Sequence, residues 1–157
     1  RIDLKKSPDR SGSGEIKLNR IWYENKLGRP QDSFKYSQEM NICVEYSSNE
    51  KTLNDVSFGI SIDSNTGHRI CDISTNSDIN FPEIVKGKGM FICHLPRSDF
   101  NSGRYYVTVI VRHHGEIADW VRQASSFDIQ NTSEDREKIN LALPWGSVMP
   151  PHNWVMR

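Results

Sequence analysis

The sequence predicts an all-β domain, an antiparallel β-sandwich of jelly-roll or immunoglobulin-like form. Short runs alternate apolar and polar residues with period two, and turn-forming glycine, proline, asparagine and aspartate separate them at regular intervals. The clearest run is Ser102 to Gly115, SGRYYVTVIVRHHG. Its odd positions Tyr105, Val107, Val109 and Val111 are apolar, and its even positions carry Tyr106, Thr108, Ile110 and Arg112. One face of this strand belongs in a core; the other offers a phenol, a hydroxyl and a guanidinium, with His114 close behind.

The remaining elements follow in order. Residues 1–14 are polar, rich in serine and glycine and without periodicity, and read as a linker into the domain. Glu15 to Tyr23 is a strand whose phase shifts from Ile16 and Leu18 to Ile21 and Tyr23, which predicts a bulge at Asn19–Arg20. A turn over Asn25 to Pro30 follows, and Met40 to Tyr46 is a second clean strand. Ser47 to Asp55 reads as a polar loop. Val56 to Ile62 is a third strand, with Phe58, Ile60 and Ile62 on one side and Ser57, Gly59 and Ser61 on the other. Asp63 to Gly67 turns the chain into Arg69 to Ile73. Pro82 makes Ile79 to Val85 an edge or a loop, and Lys86 to Gly89 (KGKG) reads as a hairpin turn before the strand Met90 to Leu95. Ala124 to Ile129 closes the set. A helix is expected from about Glu134 to Leu143, capped by Thr132 or Ser133 and ended by Pro144.

Composition narrows the function. The 157 residues suit one domain, with 20 basic against 20 acidic side chains, so no global field attracts nucleic acid or anionic lipid. There is no apolar run of membrane-spanning length and no signal segment. The chain begins without an initiator methionine and reads as part of a longer product. Cys43, Cys71 and Cys93 lie in strand-like runs without zinc-type or disulfide spacing, as free thiols do in a reducing compartment.

Catalytic signatures are weak. There is no phosphate-binding loop and no Gly-x-Ser-x-Gly elbow. Asp119 with Asp99 or Glu116 would be the pair for glycoside hydrolysis, against a turn role for Asp119. The run Asp63 to Gly67 has the look of a calcium loop but lacks its distal glutamate, and a β-turn accounts for it. His113 and His114, adjacent on a strand, are expected to face opposite ways and so not to share a metal ion. No cofactor is implied. Tyr46 and Tyr105 share phase with aliphatic neighbours and belong to the core, whereas Trp22 and Tyr106 are out of phase and are candidates for stacking on a sugar ring.

Several landmarks stand in one order: Gly14-Glu15-Ile16-Lys17-Leu18, the Gly28 turn, Ser37-Gln38-Glu39-Met40 and Phe58-Gly59-Ile60-Ser61-Ile62. Gly103-Arg104-Tyr105-Tyr106-Val107 follows, then Asp119 with Ala124 and Phe127, and Pro151-His152-Asn153-Trp154. In this the chain resembles the C-terminal carbohydrate-binding domain of the ATPase subunit of O-antigen polysaccharide ABC transporters, the Wzt type. The resemblance implies a linker at 1–14 from an upstream nucleotide-binding domain, with the sandwich over 15–157. It implies a non-catalytic module that recognises the non-reducing end of an O-antigen polysaccharide at the cytoplasmic face of the bacterial inner membrane. Its partners would be the nucleotide-binding and membrane subunits of the transporter and a second copy in a homodimer, with no nucleic acid. The expected carbohydrate-binding residues are Trp22, Ser57, Ser61, Tyr106, Thr108, Arg112 and His114. The alternative is a protein-interaction or adhesion sandwich.

Overall fold

The computed structural model describes residues 1–131 and 150–157, so the helix expected over 134–143 lies outside the described residues. The described residues form eleven strands in chain order: β1 (Ile2–Asp3), β2 (Arg10–Ser11), β3 (Ile16–Glu24), β4 (Ser33–Lys35), β5 (Met40–Asn54) and β6 (Val56–Ser64). These are followed by β7 (Arg69–Ser74), β8 (Ile84–Leu95), β9 (Gly103–His113), β10 (Glu116–Gln130) and β11 (Asn153–Met156). One sheet runs β1-β3-β5-β8-β11 and the other β2-β10-β9-β6-β7, with β4 added parallel to the end of β10. The two sheets face each other as the antiparallel sandwich the sequence predicts.

The alternation reads through to packing. Tyr105, Val107, Val109 and Val111 are buried between the sheets, as are Phe58, Ile60 and Ile62 of β6 and Met40, Ile42, Val44 and Tyr46 of β5. Phe58 stacks on Phe91 across the sandwich with centroids 4.3 Å apart, and Tyr46 lies 5.0 Å from Phe58. At the other end Tyr23 meets Phe127 edge-on at 5.4 Å. Tyr46 and Tyr105 each donate their hydroxyl to a backbone carbonyl, of Lys86 and Asn101, so neither core phenol is left unbonded. The β3 register shifts between Leu18 and Arg20, where the bulge is expected. All three cysteines are buried and free. Burial pushes the Cys43 and Cys71 thiols up to about 12 and Cys93 higher still.

Five expectations change. Residues 1–14 are not a bare linker: β1 and β2 pair with β3 and β10, and Leu4 is fully buried. Arg10 fixes this segment. Its Nε and Nη2 donate to the two carboxylate oxygens of Asp119 at 2.9 and 2.6 Å, and its remaining N–H groups reach the carbonyls of Leu4 and Leu18. Asp119 also accepts the Leu18 N–H at 2.8 Å, so this carboxylate is a buried tie between the two sheets, not the turn residue expected.

Ser47 to Asp55 is not a loop, because β5 continues to Asn54 beyond a register shift between Ser47 and Thr52. Lys86 to Gly89 is not a turn but part of β8, opposite that shift. The glycine at 87 is needed for close approach: a Cβ there would sit 1.6 Å from the Glu50 carbonyl oxygen. Finally, β10 starts at Glu116, well before Ala124, and is joined to β9 by the two-residue turn His114–Gly115. Both turn residues have positive φ, 51° and 78°, as a type I′ hairpin requires.

Candidate functional site

The register places the outward side chains of the six-stranded sheet in rows. Arg112 of β9 lies opposite Ser57 of β6; Trp120, Ile110, Gly59 and Ser74 form the next row across β10, β9, β6 and β7; Thr108, Ser61 and Asp72 form the row after. With no side chain at Gly59, this face carries a hollow of about 290 Å³. Ser57, Ser61, Thr108 and Arg112 all line it, so four of the seven expected residues come together.

Their hydrogen bonding leaves defined valences. Ser61 Oγ donates to Asp72 at 3.2 Å, which leaves its lone pairs to accept. Thr108 Oγ1 accepts the Gln123 N–H at 3.0 Å, which leaves its own proton to donate. Arg112 is exposed and has no hydrogen bond or ion pair of its side chain among the described residues. Arg69, at the far side, bonds Asp63 at 2.5 Å and approaches Asp72 at 3.5 Å. The run Asp63 to Gly67 closes as the β6–β7 hairpin through the Ser64 N–H to the His68 carbonyl at 2.8 Å and the Gly67 N–H to the Ser64 carbonyl at 2.9 Å, and among the described residues no three metal-ligating side chains converge.

Trp120 is the wall residue that sequence phase misses. The β10 register shifts twice, between Ile117 and Asp119 and between Val121 and Ser125, so period-two counting fails on both sides of it. Its ring is oriented by the Arg122 guanidinium, 3.7 Å from the centroid and itself held by Asp9 at 2.6 Å.

The other three expected residues lie elsewhere. Trp22 projects from the outer face of the five-stranded sheet, packed with Cys43 and Ile92, with Arg1 4.2 Å from its ring and its Nε1 bonded to Glu24. Trp22 and Tyr106 line a second hollow, of about 520 Å³, on the side of the sandwich. His114 leaves the strand altogether. In the left-handed turn its ring comes within 4.0 Å of His113, contrary to the expectation of opposite faces, and sits 3.4 Å from Asp55 while His113 bonds Glu15 at 3.0 Å.

Among the described residues no helix is long and apolar enough to cross a membrane. No curated protein matches the chain. Among solved structures, the crystal structure of the C-terminal domain of Wzt superposes with a TM-score of 0.72 at 16% identity, covering 84% of this chain and 83% of that one. A Niemann-Pick type C2 protein from Japanese carpenter ant gives a TM-score of 0.49 at 10% identity, over 79% of this chain and 98% of its own. Residues 7–139 match the family described as the Wzt C-terminal domain, a span that takes in both hollows almost entirely and the Arg10–Asp119 tie. The chain belongs to the Wzt C-terminal domain family.

Proposed function

We propose that this domain is a non-catalytic carbohydrate-binding module. It recognises the non-reducing end of an O-antigen polysaccharide and couples completion of the glycan to export by an ABC transporter. In this reading it works as a homodimer at the cytoplasmic face of the inner membrane, with the transporter's nucleotide-binding and membrane subunits. The family supports the setting. The observation that carries the reading is the hollow on the outer face of β6, β9 and β10. It offers Trp120 as an apolar wall, Ser61 as acceptor, Thr108 as donor and Arg112 as a cation with no partner among the described residues. A pyranose presents an apolar C–H face and hydroxyls that both donate and accept, which is the complement of that set. A site that leaves polar groups unpaired when a hydroxyl is missing also discriminates strongly.

Calorimetric titration with O-polysaccharide from the source bacterium tests this. Loss of a charged hydrogen bond implies roughly 10- to 100-fold weaker binding by Arg112→Ala, and Trp120→Ala weakens it as well. Wild-type affinity in both folded variants removes this hollow as the site.

A further inference from the structure

The larger hollow lies where both sheets have an open edge. On this side β10 is paired by β2 at Trp120–Val121 and by β4 at Asp128–Gln130, and β3 is paired by β1 at Arg20–Ile21. Between these short strands the side of the sandwich opens into the 520 Å³ space, larger than the 290 Å³ hollow of the outer face. Its lining includes Tyr106 and Trp22, the latter largely buried beneath Arg1, together with Asp32, Gln123 and Ser126. The side chains of Gln123 and Ser126 make no hydrogen bond among the described residues. Beneath them the buried Tyr23 hydroxyl, turned toward Ser125, makes no hydrogen bond of good geometry. A buried phenol normally finds a partner, so this one is an unmet polar group beneath the cavity lining.

The two hollows are neighbours on one strand. Tyr106 and Arg112 both project outward from β9, six residues apart, about 20 Å at roughly 3.3 Å per residue. Between them sits the β10 bulge, where Gln123 (φ 47°) lines the larger hollow while its N–H bonds Thr108, which lines the smaller. An aromatic wall with uncommitted amide, hydroxyl and carboxylate groups suits neutral sugar residues, and a peptide would need a longer apolar groove than the lining provides.

We propose that the larger hollow is a second saccharide subsite, so that the domain grips an extended stretch of glycan and not its terminal residue alone. This rests on the carbohydrate reading above. The test uses two probes from the O-polysaccharide of the source bacterium: a long size fraction, and a one-repeat oligosaccharide with the same non-reducing end. Tyr106→Ala removes an aromatic wall and Ser126→Trp fills the space; thermal melts confirm that each is folded. Both variants should bind the long fraction roughly tenfold more weakly, as loss of one aromatic contact implies, and the one-repeat probe as wild type does. Arg112→Ala should weaken both probes. Wild-type binding of the long fraction by both folded variants, or equal loss on the two probes, overturns the second subsite. If the wild-type domain binds neither probe, the carbohydrate reading itself fails and the subsite with it.

Discussion

Replacing Asp119 with alanine should be among the most damaging single changes in the domain. Asp119 is buried, its side chain 5% exposed, and its carboxylate takes both Arg10 contacts and the Leu18 N–H. Breaking a buried ion pair from one side costs about 3–5 kcal/mol, because the remaining charge is left uncompensated. The orphaned Leu18 N–H adds about 1–3 kcal/mol. Against this, the Arg10 side chain is 22% exposed and keeps its bonds to Leu4 and Leu18, so water and carbonyls take up part of its charge. The net expectation is a loss of about 3–4 kcal/mol, or on the order of 10 °C in melting temperature for a domain of this size. Urea unfolding of the wild type, Asp119→Ala and the double variant Arg10→Met/Asp119→Leu measures it. The double variant, which removes the charge with its partner, should recover about half of the loss. A loss under about 1 kcal/mol in Asp119→Ala would show that residues 1–14 are held by the burial of Leu4 and not by the ion pair.

Two further outcomes follow from packing. A Cβ at position 87 cannot coexist with the Glu50 carbonyl at 1.6 Å, so Gly87→Ala must open the β5–β8 ladder. It should lose about 2 kcal/mol or more in denaturant unfolding, and a change below about 0.5 kcal/mol would refute the close approach. The three thiols should react with a disulfide reagent at pH 8 no faster than the domain unfolds, and fast reaction of any one in the native state would contradict its burial. Buried thiols and phenols together set an alkaline limit. Cys43, Cys71, Tyr46 and Tyr105 are pushed up to about 12 by burial, from 9.0 for the thiols and 10.0 for the phenols. Their contribution to stability is therefore complete below about pH 9 and lost as pH rises toward 12. A melting temperature that stays flat from pH 9 to 11 would argue against it.

What the sequence disclosed was the part of the fold that repeats. Tyr105 to Val111 and Phe58 to Ile62 alternate because each strand has one face in the core and one in water, and that difference is written in every second residue. Features made by contacts distant in sequence left no such trace. Ser47 to Asn54 holds few inward apolar side chains, chiefly Leu53, because this end of β5 is bulged and largely exposed, so it reads as a loop. The glycines of Lys86 to Gly89 read as a turn because close approach to Glu50 and turning both select glycine. The docking of residues 1–14 depends on a carboxylate 109 positions away from Arg10, which no local pattern can announce.

The candidate site divides for a related reason. Phase identifies which residues point away from the core, but not which of the two sheets they leave. Ser57, Ser61, Thr108 and Arg112 come from two adjacent strands, so their shared face was legible; Trp22 has the same outward phase and belongs to the other sheet. The device that separates the hollows is the β10 bulge. Holding a non-glycine residue such as Gln123 at a φ of 47° costs about 1–2 kcal/mol, comparable to what its hydrogen bond to Thr108 returns. The bulge is thus close to neutral for the fold while it stands between the hollow of the sheet face and the hollow at the side of the sandwich. A regular β10 would carry its outward side chains in unbroken rows past Thr108, with no register shift to set the recesses apart. In the proposed two-subsite grip, contact with both hollows would depend on a local irregularity that hydrophobic periodicity reads only as a loss of phase.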